Sequence, residues 1–170
     1  MDGSPRLTLV LGGARSGKSR AAEAILTRLA PPWIYLATAA ALDEEMRARI
    51  DAHRARRGVG WRTVEAPVEL ATGLAGLAEA PVLVDCLTLW LSNLLLGDHD
   101  IDRHTTLLQT VLAARAAPCV LVGNEVGLGI VPDNALARRF RDAAGTLHQR
   151  LAASADQVLF MVAGLPIRVK

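Results

Sequence analysis

The sequence predicts a three-layer α/β domain in which helices cover both faces of a mostly parallel β-sheet. Apolar segments alternate with helical patterns, each apolar segment is continuous, and a glycine-rich loop follows the first of them. The chain has 170 residues, which suits one compact domain, so we predict a single domain over residues 1–170. Hydrophobic residues make up 51% and aromatic residues 4%, which predicts an aliphatic core.

Seven apolar segments are predicted to form the strands of the sheet. They span residues 7–11, 33–37, 61–65, 82–85, 119–123, 158–163 and 167–169. Continuous hydrophobicity is typical of parallel strands that are buried on both faces, because the connecting helices lie on each side. Ligands bind at the carboxyl ends of such strands. Functional residues are therefore expected directly after these segments.

Two helices are the clearest in the pattern. One follows Pro132, with Asp133 as the predicted N-cap. Its apolar positions form one stripe, which consists of Leu136, Phe140, Ala144, Leu147 and Leu151. The other lies in segment 86–96, which carries no charge on any face and is therefore predicted to be buried all round, by the core or by another subunit. A subunit interface over this segment is our hypothesis. A short acidic loop is predicted to follow at 97–102.

The composition of the chain indicates its cellular compartment and limits the classes of partner that it binds. Cys86 and Cys119 lie beside apolar segments without metal or redox spacing, which predicts buried, reduced thiols. There is no signal-peptide pattern and no run of ~18 apolar residues that could span a membrane, so we predict a cytoplasmic protein. A net charge of +2 does not indicate a nucleic-acid partner, although arginines are concentrated in segment 47–57.

The glycine-rich loop matches the pattern G-x-x-x-x-G-K-[ST] between a strand and a helix. It consists of Gly12, Gly13, Ala14, Arg15, Ser16, Gly17, Lys18 and Ser19. In this setting the backbone amides surround phosphate groups, Lys18 reaches the terminal phosphates, and the Ser19 hydroxyl holds Mg²⁺. The pattern predicts a P-loop NTPase-like domain that binds a nucleoside triphosphate.

An acidic residue at the end of a neighbouring strand completes this type of site. Asp85 follows the apolar segment 82–84, and we predict that it is the acid linked to Mg²⁺. The alternative is that Asp85 caps the next helix. After segment 119–123, Asn124 and Glu125 open a loop in which glycines alternate with apolar residues. This loop either lies against a ligand or only makes a turn.

A predicted helix over residues 43–57 begins with acids and ends with arginines, as the helix dipole favours. His53 lies on its apolar face, and by spacing alone it is more typical of a half-buried core histidine. Arg54, Arg56 and Arg57 change the balance, because positive charge binds polyphosphate and keeps the imidazole neutral and able to attack phosphorus. The alternative is a solvated basic helix end.

Together these residues resemble the bifunctional adenosylcobinamide kinase / adenosylcobinamide-phosphate guanylyltransferases of cobalamin biosynthesis. The resemblance covers nearly the whole chain. Its matching segments are 12–19, 35–38, 43–46, 49–50, 53–54, 85–88 and 124–132, with Asn134, 136–138 and 140–142 after them. The turn at 58–60 departs from the family pattern, because it lacks a proline before Trp61.

The resemblance implies two reactions, with ATP and GTP as substrates and Mg²⁺ as cofactor. A nucleoside triphosphate would phosphorylate adenosylcobinamide, and GTP would then transfer GMP to adenosylcobinamide phosphate through a GMP-histidine, at the position of His53. The implied nucleotide contacts are Gly12 through Ser19, Ala37, Thr38, Ala39, Arg54, Ala55, Arg56, Arg57, Glu65 and Asp85. The family is similar in forming trimers, which agrees with the uncharged segment 86–96.

Other interpretations remain open from the sequence. The chain could be a P-loop kinase of another small metabolite with a structural His53, a relative that only transfers guanylyl groups, or a regulatory module that binds nucleotide without consuming it. No sequence pattern identifies residues that bind the corrin ring. The sequence also does not distinguish ATP from GTP as the phosphoryl donor of the kinase step. Glu125 and Asp85 are the candidates for the general base.

Overall fold

The computed structural model describes residues 5–39, residue 44 and residues 58–170, and within them one sheet of seven strands carries five helices. The strands are β1 (Leu7–Gly12), β2 (Trp33–Ala37), β3 (Trp61–Glu65), β4 (Val82–Asp85), β5 (Cys119–Asn124), β6 (Gln157–Val162) and β7 (Leu165–Arg168). The helices are α1 (Lys18–Leu26), α2 (Leu70–Ala75), α3 (Leu87–Leu96), α4 (Ile101–Ala114) and α5 (Ala135–Ser154).

The strand order is β3-β2-β4-β5-β1-β6-β7, and every pairing is parallel except that of β6 with β7. All seven predicted segments form strands, with ends that differ from the prediction by no more than two residues. Strand β1, which is fifth in this order, ends at Gly12, between Asn124 of β5 and Met161 of β6. This register places the glycine-rich loop at the carboxyl edge of the sheet, between the ends of β5 and β6.

Successive residues of the strands feed two separate cores, as the pleat of a buried strand requires. Leu9 belongs to the cluster that the sheet forms with α2 to α5, whereas Val10 belongs to the cluster that it forms with α1. Trp90 is the largest fully buried side chain, and its indole N–H donates to the Val68 carbonyl at 2.8 Å. The predicted aliphatic core with helices on both faces is confirmed.

Helix α3 is only partly covered in this chain. The core buries Leu87, Trp90, Leu91, Leu94 and Leu95, whereas Leu96 is 72% exposed. The expectation that segment 86–96 is buried all round is therefore not met by the core alone. A subunit interface over the remaining face stays a prediction.

Two helix starts differ from the sequence prediction. Helix α5 is capped by Asn134, whose side chain accepts from the Ala137 N–H at 2.7 Å, so the prediction of Asp133 was wrong. Leu136 is 54% exposed because the first turn of α5 lies beside the end of α3 rather than over the sheet. Helix α4 begins at Ile101 with Asp100 as its cap, so the acidic loop is shorter than predicted.

Both cysteines are free and buried, as predicted. Burial raises the pKa of Cys86 to about 11 and that of Cys119 to about 12, so both thiols stay protonated at neutral pH. Cys86 also caps α3, because its sulfur accepts from the Leu89 N–H at 3.4 Å. Over the described ranges, every helix is too short or too polar to cross a bilayer.

Candidate nucleotide-binding site

The glycine-rich loop connects β1 directly to α1, as the sequence predicts, and two of its three glycines are required by geometry. Gly12 has a φ of 150° and Gly17 a φ of 94°, which L side chains rarely adopt. A Cβ at Gly12 would lie 2.7 Å from the Met161 carbonyl oxygen and 2.8 Å from Ser16 Oγ. The loop therefore packs against β6 on one side, and its backbone amides precede the N-terminus of α1.

Lys18 places a buried cation inside this loop. It is 7% exposed, and its ammonium group donates to the Gly13 carbonyl and to Ser16 Oγ, the latter at 3.4 Å. Burial lowers the pKa of Lys18, and the nearby Asp85 partly offsets this effect. A cation surrounded by loop amides at a helix N-terminus attracts a polyphosphate anion.

Asp85 lies at the end of β4, next to the first turn of α1. Its Oδ2 atom accepts from Ser19 Oγ at 2.8 Å and from the Tyr35 hydroxyl at 3.0 Å. The alternative role of Asp85 as a helix cap is wrong, because Cys86 caps α3. The structure thus brings Lys18, Ser19 and Asp85 together, as expected for a metal–nucleotide site.

The end of β2 lies at the same edge. Ala37 pairs with Glu65 on one side and with Asp85 on the other, so these three positions share one register. Glu65 is exposed and Ala37 is buried.

The hydroxyl of the fully buried Thr38 donates to the Cys86 carbonyl at 2.7 Å and accepts from the Cys86 N–H at 2.8 Å. Asn93 donates from its amide to the Thr38 carbonyl at 2.8 Å. Thr38 therefore fixes the chain directly after Asp85, while Ala39 beyond it is half-buried.

The loop after β5 starts against the glycine-rich loop. The Glu125 N–H donates to the Gly12 carbonyl at 3.0 Å, and the Asn124 N–H donates to Thr88 Oγ1 at 2.7 Å. The Glu125 carboxylate accepts from the Gly127 N–H, so it also shapes a turn within its own loop. The segment therefore makes a turn beside the glycine-rich loop, and its contact with a ligand stays a prediction.

His148 of α5 lies behind this strand end. It is 6% exposed, and burial lowers its pKa, while the negative charge of Glu125 acts in the opposite direction. Its ring is packed against Gly123, where an added Cβ would lie 2.9 Å from His148 Nε2.

Several predicted site residues lie outside the described residues. They are His53, Arg54, Ala55, Arg56 and Arg57, together with most of the predicted helix at 43–57. Of that segment the structure describes Glu44, which is helical and exposed. The roles of these residues stay predictions.

The sequence reasoning did not assign a role to Tyr35, Met161 or Gly164, which also contact the site. The Gly164 N–H donates to the Ser16 carbonyl at 3.1 Å, and a Cβ at Gly17 would lie 3.2 Å from Gly164 Cα. These contacts join residues about 50 or about 150 positions apart. Only the strand order brings them together, so no local pattern could reveal them.

Solved structures of similar fold support the fold class. The chain is similar to the P4 protein of bacteriophage phi6 in complex with ADP, with a TM-score of 0.53 and 16% identity over 95% of this chain and 52% of that chain. It is also similar to an ATPase from the type III secretion system of pathogenic bacteria, with a TM-score of 0.58 and 11% identity over 96% and 56% of the two chains. The fold and the loop define an α/β protein of the P-loop NTPase class.

The family is shown by closer relatives. The family model "Cobinamide kinase / cobinamide phosphate guanyltransferase" matches residues 8–169. The chain is 50% identical to the bifunctional adenosylcobalamin biosynthesis protein CobP of Pseudomonas aeruginosa, over 95% of this chain and 96% of that protein. It is 44% identical to the bifunctional adenosylcobalamin biosynthesis protein CobU of Salmonella typhimurium, over 96% and 99%. The chain belongs to the cobinamide kinase / cobinamide phosphate guanyltransferase family, which confirms the resemblance.

Proposed function

We propose that this chain is a bifunctional enzyme of adenosylcobalamin biosynthesis. It phosphorylates adenosylcobinamide with a nucleoside triphosphate and then transfers GMP from GTP to the phosphate, which yields adenosylcobinamide-GDP. The observation that carries this function is the family match over residues 8–169, in a chain whose glycine-rich loop holds a buried lysine. The substrates are inferred from the family, and the loop provides the groups that phosphoryl transfer requires.

The phosphates of the bound nucleotide lie in the loop between β1 and α1. The loop amides and the N-terminus of α1 donate to phosphate oxygens, and Lys18 neutralises the charge that builds on the transferring group. In the described structure the Lys18 ammonium donates to Gly13 and Ser16, and phosphate oxygens would replace these acceptors. Positioning and charge stabilisation are most of what phosphoryl transfer requires from a protein.

Mg²⁺ is the cofactor that fits this site. Mg²⁺ prefers oxygen ligands, keeps several waters, and binds through one or two protein oxygens together with substrate phosphates. Ser19 Oγ and Asp85 Oδ2 are such oxygens, 2.8 Å apart beside the loop. We assign Ser19 to the metal and Asp85 to the metal's water shell, where the ion would screen the phosphate charges.

His53 is the proposed acceptor in guanylyl transfer. An imidazole nitrogen attacks the α-phosphorus of GTP, a P–N bond forms, and the bond to pyrophosphate breaks. An oxygen of adenosylcobinamide phosphate then attacks the same phosphorus, the P–N bond breaks, and the imidazole returns to its free form. Support comes from the family position of His53 and from the arginines at 54, 56 and 57 that follow it.

The remaining proposals concern the assembly. One domain over residues 1–170, located in the cytoplasm, forms a homotrimer. Exposed apolar side chains support an interface, since Leu96, Leu136, Leu128 and Ile130 are between 54% and 96% exposed. Leu96 and Leu136 line the same groove of about 250 Å³ between α3 and α5.

The test is product analysis with adenosylcobinamide, ATP, GTP and Mg²⁺, with the corrinoids separated by chromatography. The wild-type protein is expected to form adenosylcobinamide phosphate and then adenosylcobinamide-GDP. Lys18→Ala should lower kcat/KM of the kinase step by about 100-fold or more, because a donor to the transition state is lost. The control is Arg28→Ala, which removes an exposed cation after α1 and should leave the rate unchanged.

Each failure has a distinct meaning. GTP binding without any corrinoid product would indicate a regulatory module. Product from adenosylcobinamide phosphate but not from adenosylcobinamide would indicate a guanylyltransferase alone. Full kinase activity of Lys18→Ala would contradict the role of the loop.

A further inference from the structure

We propose that Tyr35 is a positioning residue of the metal–nucleotide site, because its hydroxyl holds the Asp85 carboxylate in the orientation that the metal's water shell needs. The proposal deepens the function above and rests on its assignment of Mg²⁺ to Ser19 and Asp85. Tyr35 lies in β2, outside the loop and its helix, and it is not among the nucleotide contacts implied by the family resemblance.

Two hydroxyl groups converge on one carboxylate oxygen. Asp85 Oδ2 accepts from Ser19 Oγ at 2.8 Å and from the Tyr35 hydroxyl at 3.0 Å. Both distances are normal for O–H···O hydrogen bonds, and bonds to an ionised carboxylate are among the stronger ones in proteins. Two donors on the same oxygen determine the rotation of the carboxylate, which one donor alone does not.

The sheet explains how Tyr35 reaches Asp85. β2 and β4 are parallel neighbours in which Ala37 pairs with Asp85 and Tyr35 pairs with Leu83. Tyr35 therefore lies one pleat repeat before the register of Asp85 and points to the same face of the sheet. The length of the phenol ring bridges that repeat.

The two donors differ in rigidity. Tyr35 is 7% exposed, and its ring belongs to the core between the sheet and α1. It meets the Trp61 ring edge-on, with centroids 6.5 Å apart and an interplanar angle of 74°. Ser19 has a small side chain near the start of α1. In the proposed function its oxygen also binds the metal.

Because of these differences, the two hydroxyl groups have different roles. A serine hydroxyl has one proton to donate and lone pairs to accept with, so Ser19 can serve the metal and Asp85 together. The packed tyrosine supplies a donor whose position does not depend on the metal. Without it, Asp85 loses its rigid partner and the metal-binding arrangement is populated less often.

The experiment compares Tyr35→Phe with the wild-type full-length chain. Mn²⁺ serves as the probe, because its binding is detected by electron paramagnetic resonance without any turnover. Binding is measured with a non-hydrolysable GTP analogue, and binding of the analogue alone is measured in EDTA. We expect Mn²⁺ affinity to fall about tenfold, the size expected when a hydrogen bond to a charged group is lost. Binding in EDTA should stay within about twofold of the wild type, because the loop is untouched.

A matched control separates this role from packing. Trp33→Phe removes the indole N–H that donates to the Leu29 carbonyl at 3.0 Å. Trp33 contacts the same Trp61 ring, with centroids 5.6 Å apart. It is the first residue of β2, whereas Asp85 lies beside Ala37, the last residue of that strand. It should leave Mn²⁺ affinity unchanged.

A double-mutant comparison tests the route of the effect. In an Asp85→Asn background, Tyr35→Phe should cause no further loss of Mn²⁺ affinity, because the group that it positions is already altered. An equal further loss would overturn the proposal. So would a Tyr35→Phe protein with wild-type Mn²⁺ affinity.

Failure of the metal assignment itself is visible in the wild type. If wild-type protein binds the analogue equally well with Mn²⁺ and with EDTA, the assignment of the metal to Ser19 and Asp85 fails, and the role of Tyr35 fails with it. If wild-type binding depends on Mn²⁺ but Tyr35→Phe behaves identically, only the role of Tyr35 is overturned.

Discussion

At the scale of single residues, burial decides which charges the site can hold. Lys18 and His148 are each at most 7% exposed, and desolvation lowers the pKa of both. That Lys18 and Asp85 lie together could be predicted from sequence, because Lys18 belongs to the glycine-rich pattern and Asp85 ends an apolar segment that was expected to lie beside it. The bonds of Asp85 to Tyr35 and Ser19 could not, since they depend on the sheet register.

His148 should make the free energy of unfolding depend on pH. Its folded-state pKa lies below the ordinary value of 6.5, so the unfolded state binds more protons just below pH 6.5. Stability contributed by the neutral ring is therefore present above pH 6.5 and is lost as the pH falls. In urea titrations, His148→Gln should show a flatter decrease from pH 6.5 towards 5 than the wild type.

The control for this prediction is Gln149→Ala, because Gln149 is the exposed neighbour of His148 in α5 and carries no titratable group. It should keep the wild-type slope of stability against pH. An unchanged slope in His148→Gln would contradict the assignment.

At the scale of elements, the strands could be predicted, whereas the starts of α4 and α5 could not. The strands could be predicted because continuous apolar segments are typical of parallel strands that helices cover on both faces. At the start of α5, Asp133 and Asn134 are both good N-caps, and only the folded chain shows that Asn134 bonds to the Ala137 N–H. Likewise, Leu136 matches the apolar stripe but lies beside the end of α3.

The contact between the glycine-rich loop and β6 gives a prediction at this scale. Gly12→Ala should lower the free energy of unfolding by about 1–3 kcal/mol, because its Cβ would meet the Met161 carbonyl oxygen at 2.7 Å and its φ is 150°. Gly13→Ala is the matched control, since no atom lies within 4 Å of the added Cβ. Denaturant unfolding checks both, and equal stabilities would argue against this packing.

At the scale of the whole molecule, the family could be recognised from sequence because its motifs lie at the carboxyl ends of the strands, where the fold brings them together. Gly12, Ala37, Glu65 and Asp85 come from four strands and share that edge. The corrinoid site and the assembly could not be derived in this way. Large apolar surfaces carry no local signature that separates core from interface, as Leu96 shows.

The proposed trimer predicts the effect of a charge in the groove between α3 and α5. Leu96→Asp should convert the assembly to monomers, because a buried carboxylate without a partner opposes association. Light scattering at micromolar concentration measures the mass directly. Leu107→Asp in α4, at a leucine that is 40% exposed, is the control and should remain trimeric. A wild-type monomer would contradict the proposed assembly.

The most direct test of guanylyl transfer through His53 is the intact mass of the protein after incubation with GTP and Mg²⁺. The reaction is quenched under alkaline conditions that preserve a phosphoramidate, and His53→Ala is treated in parallel. We expect the wild type to gain the mass of one GMP group and His53→Ala to gain none. A wild-type protein that gains no mass, or a variant that gains the same mass, would contradict guanylyl transfer through His53.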